Sequence, residues 1–160
     1  GSPKTLNAAA TAAEVLASAG VDLPLPEAAT VAYEDRAAAG RAIQESLYGD
    51  EVEQVFSALP EPFNRVVPQL LTAGAFGEFE TRGGLDVAMR ELISLVAIAA
   101  LGVAAQMRPH VAGAIRAGNS RQKVAAALVQ VLPYIGGPYA LSGLVLVATY
   151  DENDSSEAYR

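Results

Sequence analysis

The chain has 160 residues, a net charge of −7, half of its residues hydrophobic and no cysteine. The length suits a single domain with a real core. The acidic balance argues against nucleic acid as a partner, because phosphate binding needs a basic surface. The absence of cysteine removes disulfides, thiol redox chemistry and thiolate metal sites together; a metal centre built from the single histidine and carboxylates is rare, so none is expected.

The apolar residues are mostly Ala, Val and Leu, and mean hydropathy is +0.24. Small side chains let helices approach closely, which predicts an all-α domain, and the surplus of apolar surface predicts burial between subunits. Val124 to Tyr150 carries no charge. Its length would permit a membrane span, but Pro133, Gly136, Gly137 and Pro138 divide it into a buried helical hairpin. No membrane partner is expected, and without a secretory signal the expected location is cytoplasmic. Gly1-Ser2 has the look of a cloning remnant.

In chain order, Thr5 to Ala19 reads as a helix ended by Gly20, and residues 1–26 as that helix plus a rigid LPLP linker. Residues 27–150 read as the main helical domain, and 151–160 as a disordered acidic tail. Glu27 to Leu47 reads as a helix with Glu34, Asp35, Arg36 and Arg41 on a solvated face. Asp50 with Glu53 resembles a capping box opening a helix through Leu59. Phe63 to Ala75 returns to apolar periodicity, with a kink or break expected at Pro68. Gly77 to Gly84 reads as a polar loop. Asp86 then caps a helix that ends at Gly102, and Ala104 to Ala117 forms the next. Gly118 and Ser120 close that helix and open another, and a last break falls from Tyr134 to Pro138. No strand alternation stands out.

The segments MRELISLVAIAALG, MRPHVAGAIRAGNS and VAAALVQVLPYIGGP, in that order, resemble the carboxymuconolactone decarboxylase family, which includes the alkyl hydroperoxidase D type proteins. Arg90, Ala100-Leu101-Gly102, His110 with Gly113-Ala114, and Tyr134 with Gly136 and Pro138 carry the resemblance, helped by Gly77-Glu78 and Arg82-x-Gly84-Leu85-Asp86. It implies an alkyl hydroperoxidase D-like helical fold, assembly into homotrimers or homohexamers, and small carboxylated lactones as substrates. Two departures matter. The Cys-x-x-Cys pair of the peroxidase branch is missing, so thiol peroxidase activity is excluded chemically. Ala126 stands where members commonly carry Glu, which separates the fold from the named reaction.

His110 is the leading catalytic candidate, since imidazole exchanges protons near neutrality; the alternative is a core histidine satisfied by one hydrogen bond. Glu78 is the second, as proton donor or as the group orienting His110. Arg82 is a candidate to hold a substrate carboxylate. Arg90 and Tyr134 complete the substrate-binding candidates, although Arg90 also suits a structural bridge and Tyr134 a packed ring. Glu80 is expected at the surface, and Arg108 on the far side of its helix from His110. No phosphate loop, dinucleotide fingerprint or nucleophile elbow appears, so no cofactor is expected. The expectation is a cofactor-independent lyase or isomerase acting on a small lactone or enol. The alternatives are a ring-forming or rearranging enzyme of a biosynthetic pathway and a non-catalytic oligomeric ligand-binding protein.

Overall fold

A computed structural model describes residues 2–151, so the expected acidic tail lies almost wholly outside the described residues. Every regular element among them is helical. In order these are α1 (Ser2–Ser18), a 3₁₀ turn (Tyr33–Asp35), α2 (Arg36–Tyr48), α3 (Glu51–Ser57), α4 (Phe63–Leu70) and a π-helical segment (Leu71–Glu80). Then follow α5 (Val87–Leu101), α6 (Ala104–Arg116), α7 (Arg121–Ile135) and α8 (Gly137–Thr149). None of these helices is long and apolar enough to cross a membrane.

The C-terminal half is a four-helix body. α5 presents Leu92, Leu95 and Ala99, α6 Met107, Val111 and Ala114, α7 Val124 and Leu128, and α8 Val147, all buried together. Their three- and four-residue spacings are helical, so each helix turns one apolar stripe inward. Burying a Leu or Val side chain fully contributes about 1.5–3 kcal/mol, so this cluster dominates the stability of the body. The expected caps are present: Asp86 accepts from the Met89 amide at 2.8 Å and Ser120 from the Lys123 amide at 3.2 Å. Gly102 ends α5 with φ +68°, a left-handed conformation that glycine adopts at little cost.

A second, smaller cluster holds Leu47, Tyr48 and Val52, packed by Ile43, Phe56, Leu71, Phe76, Val87 and Ala117. It joins α2 and α3 to the π-helical segment and leans on the body through α6. α2 and the π-helical segment meet backbone to backbone. A Cβ on Gly40 would lie 2.6 Å from the Gly77 amide nitrogen, and one on Gly77 would lie 2.8 Å from the Arg36 carbonyl carbon. Only glycine fits at both positions. α1, by contrast, is almost wholly solvent-exposed, with only Ala13 and Leu16 partly covered.

Five local expectations are corrected. The helix expected from Glu27 begins instead at Arg36, because residues 27–32 run as an irregular strap, with the Gly83 amide donating to the Ala28 carbonyl at 2.8 Å. Asp50 makes no capping bond; its backbone is already near-helical, and its carboxylate accepts from Gln54 Nε2 at 2.6 Å. Pro68 does not break α4, and the chain passes through it into π-helical winding. That winding continues through Gly77–Glu80, the start of the expected polar loop, so the loop shrinks to 81–86. α7 likewise runs through Pro133 and ends only at Gly136.

Candidate functional site

The polar centre of the molecule lies where the two clusters meet. Glu91 sits one residue before Leu92 on α5 and four before Leu95, so helical geometry turns its carboxylate toward the interior. It is 2% exposed. Tyr48 is the last residue of α2, and its hydroxyl donates to Glu91 Oε2 at 2.6 Å. His110, on α6, places Nδ1 3.1 Å from the Tyr48 hydroxyl and 3.3 Å from Glu91 Oε2. The Tyr48 ring meets the His110 ring edge-on at 5.7 Å and the Phe76 ring at 5.8 Å.

This geometry determines the roles of the ring nitrogens. With the Tyr48 proton given to Glu91, the free lone pairs at Nδ1's neighbours require Nδ1 to donate. Nε2 is then the basic nitrogen. Nε2 has no hydrogen-bond partner among the described residues, and the His110 side chain is 25% exposed. The ring is therefore anchored through Nδ1, and a quarter of the side chain remains exposed.

Gly113 makes the convergence possible. It lies one helical turn after His110, and a Cβ there would stand 2.5 Å from the Tyr48 hydroxyl and 2.9 Å from Glu91 Oε2. α6 must pass so close beneath the Tyr48–Glu91 bond that no side chain fits.

Glu80, at the end of the π-helical segment, is the fourth acid–base group. The expectation of a surface residue is corrected. It is half-buried, and its Oε2 is buried without a hydrogen-bond partner among the described residues. Burial first, then the Glu91 charge, push its carboxyl up to about 7, against the pull of Arg90 and His110. Desolvation and a like charge both disfavour a second carboxylate here.

The other sequence candidates lie elsewhere. Glu78 forms ion pairs with Arg36 and, at 3.0 Å, with Arg82. It lines a groove of about 610 Å³ walled by Ala37, Val66, Leu70 and Ala73, not the His110 cluster. Two residues apart on the π-helical segment, roughly half a turn, Glu78 and Glu80 serve opposite faces. Arg82 holds Glu78 and, at 3.7 Å, the exposed Glu27. Arg90 points its donors at the Leu85, Arg82 and Gly83 carbonyls at 3.1, 2.9 and 3.2 Å, which ties the loop to α5. Tyr134 is 83% exposed. Arg108 is exposed on α6.

Sequence reasoning missed Tyr48, Glu91 and Glu80. A signal existed for Glu91: a charge embedded in an apolar helix, in register with Leu95. Tyr48 lies one residue past the helix end the sequence suggested, and Glu80 lies in a segment that read as loop.

No curated protein matches the chain. The carboxymuconolactone decarboxylase family matches residues 66–149, a span that takes in Glu80, Glu91, Gly113 and His110 and leaves out Tyr48. With more than half its length in that match and an all-helical body around it, the chain belongs to the carboxymuconolactone decarboxylase family.

Proposed function

We propose that the protein is a cofactor-independent lyase or isomerase that moves a proton on a small lactone or enol, with His110 as the acid–base group. The observation that carries this reading is the bond set Tyr48–Glu91–His110, which anchors Nδ1 and leaves Nε2 without a partner among the described residues. In the step envisaged, Nε2 takes a proton from carbon next to the substrate carbonyl, and the C–H electrons pass into an enolate. Glu91 holds the positive charge that forms on the ring, as a buried carboxylate beside an imidazolium does in other acid–base sites. The same nitrogen returns the proton to another carbon of the conjugated system, so one C–H bond breaks and one forms. Where the substrate instead carries a carboxylate placed to leave as CO2, the electrons of the broken C–C bond form the enolate in place of the deprotonation, and an imidazolium already protonated from solvent gives carbon the proton that replaces the carboxylate.

Glu78 joins this reading only as a support for Arg82. Arg82, which lies with Glu78 rather than with the His110 cluster, enters only as a candidate anchor for a carboxylate on a part of the substrate away from the ring, because its contact with exposed Glu27 at 3.7 Å is the weaker of its two and exchanges at little cost. Arg90 and Tyr134 enter at a distance from the His110 ring, Arg90 by ordering the loop and Tyr134 at the outer surface.

The assembly proposed is a homotrimer or homohexamer. Val129, Leu141 and Val145 are each more than half exposed along α7 and α8, and Leu101 is 77% exposed. Apolar surface of this kind favours burial against further copies. Light scattering that found a monomer at micromolar concentration would remove this part.

The functional test is deuterium exchange from solvent into a panel of small lactones and enolisable acids, followed by proton NMR. His110→Gln should lower the exchange rate by about 10²–10⁴-fold, the usual effect of a positioned acid–base group, with melting temperature and oligomer size retained. An undiminished rate in this variant would mean that His110 only packs. Saturable binding of panel members with no exchange in the wild type would favour the ligand-binding alternative.

A further inference from the structure

His110, Gly113 and Arg116 follow one another at three-residue spacing along α6, which puts them on one side of the helix. That side meets the end of α2. His110 faces the Tyr48 ring edge-on, and Gly113 leaves room for the Tyr48 hydroxyl. Arg116 takes the third place. Its Nη1 donates to the Leu47 carbonyl at 2.7 Å and lies 3.5 Å from Glu51 Oε1. Leu47 and Tyr48 end α2 and Glu51 begins α3, so one guanidinium grips the corner between these helices.

The last carbonyls of a helix lack intrahelical partners and carry partial negative charge, which a cation relieves. The Leu47 carbonyl belongs to the planar peptide unit that leads directly into Tyr48. Holding that plane fixes where the Tyr48 side chain starts. From there its hydroxyl has to reach Glu91 Oε2 at 2.6 Å and His110 Nδ1 at 3.1 Å. The chain turns away at once after Tyr48, at Gly49 with φ +56°, so α2 holds this residue from one side only. Arg116 supplies the hold on the other.

We propose that Arg116 is a positioning residue for the His110 site, acting through the Leu47 carbonyl on the Tyr48 hydroxyl that bridges Glu91 and His110. Its hydrogen bond and ion pair go to Leu47 and Glu51, so its effect on the imidazole is indirect. The role rests on the acid–base reading for its catalytic meaning, but its test needs no substrate, so the two fail separately.

A hydroxyl that donates over 2.6 Å to a buried carboxylate gives a downfield proton signal in slow exchange with water. Its absence from Tyr48→Phe assigns it. His110 is the only histidine in the chain, so its ring protons form one set of NMR signals, and a cross-relaxation peak reports the hydroxyl beside them. Both are followed in the wild type, Arg116→Gln and Arg116→Lys, with melting temperature measured alongside. Arg116→Gln should exchange its hydroxyl at least about tenfold faster, as local opening around Tyr48 would produce, and lose the His110 peak while still melting cooperatively. Arg116→Lys, which can still donate to a carbonyl and pair with a carboxylate, should keep both. Unchanged exchange and an unchanged peak in Arg116→Gln would overturn the proposal whatever the melting temperature, because the arginine would then only stabilise the corner. A wild type without the hydroxyl signal would overturn it as well. Should Arg116→Gln fail to fold, the wild-type guanidinium decides the matter. Held by the Leu47 carbonyl, its Nη groups should give separate signals and a hydrogen-bond coupling to that carbonyl carbon, whereas one averaged signal would overturn the role.

Discussion

The two hydrophobic clusters of this protein are held together by different means. The α5–α8 body interlocks side chains, with Leu95, Val124 and Leu128 wholly removed from solvent. The smaller cluster depends on the lack of side chains, at Gly40 and Gly77, where α2 lies against the π-helical segment. The body tolerates repacking, because neighbouring side chains adjust to volume changes. The seam has backbone on both sides and nothing to adjust. Each contributes half of the polar centre: Glu91 and His110 come from the body, Tyr48 and Glu80 from the seam. The body supplies a fixed frame, and the seam determines how near the remaining groups approach it.

The largest expected effect follows from that difference. Gly77→Ala drives a methyl group against the Arg36 backbone, which cannot turn aside as a side chain would. We expect a loss of at least about 3 kcal/mol, at the upper end of overpacking costs. Thermal unfolding should then show an early loss of the seam and a later loss of the body. A single transition at the wild-type temperature would mean that the seam yields more readily than its geometry indicates.

Gly113→Ala should do less to stability and more to the site. The atoms its methyl group meets are the far ends of Tyr48 and Glu91, which can move. A cost of about 1–2 kcal/mol is expected, together with separation of the Tyr48–Glu91 bond. The check is the His110 ring signal, which should shift strongly in a protein that still melts cooperatively. An unchanged ring signal would mean that Tyr48 and Glu91 accommodate the methyl group without parting.

The same contrast explains what was legible in the sequence. The body was: the spacing of Leu92, Leu95 and Ala99, the caps at Asp86 and Ser120, and the glycines at 102 and 118 are periodic or local signals, and they give its helices to within a residue or two. His110 stood out as the lone imidazole. The seam was not legible. Its winding changes from α to π after Leu70, which shifts the register of every later residue. Glu78 and Glu80 therefore exchange the roles that an ordinary loop suggests, one paired with arginines and the other enclosed. Tyr48 could not be found by periodicity, because its place beside His110 depends on a glycine contact between elements distant in sequence.

Glu80→Gln gives the smallest effect and the sharpest separation of the two regions, because its sign reverses an ordinary expectation for acids. Removing a carboxylate usually removes stabilisation at neutral pH. Here burial raises the folded-state value to about 7, above the ordinary 4.3 or so of an unfolded chain. The folded protein therefore binds this proton more tightly than the unfolded one, and the contribution is fully present below about pH 4. It declines as pH rises and is lost above about pH 7. Glu91 is the first charge responsible after burial, with Arg90 and His110 opposing. Because the side chain is only half-buried, solvent screens part of the effect, and a cost of ionisation on the order of 1 kcal/mol is reasonable. Gln cannot ionise and does not incur it. Wild type and Glu80→Gln should therefore melt together near pH 5 and diverge by about 2–4 °C near pH 8.5, with the variant the more stable. Burial also pushes the Glu51 carboxyl up, against the pull of Arg116, but both proteins share that group and it cancels in the difference. A variant less stable than wild type at the higher pH would show that Glu80 is a carboxylate stabilised by its surroundings.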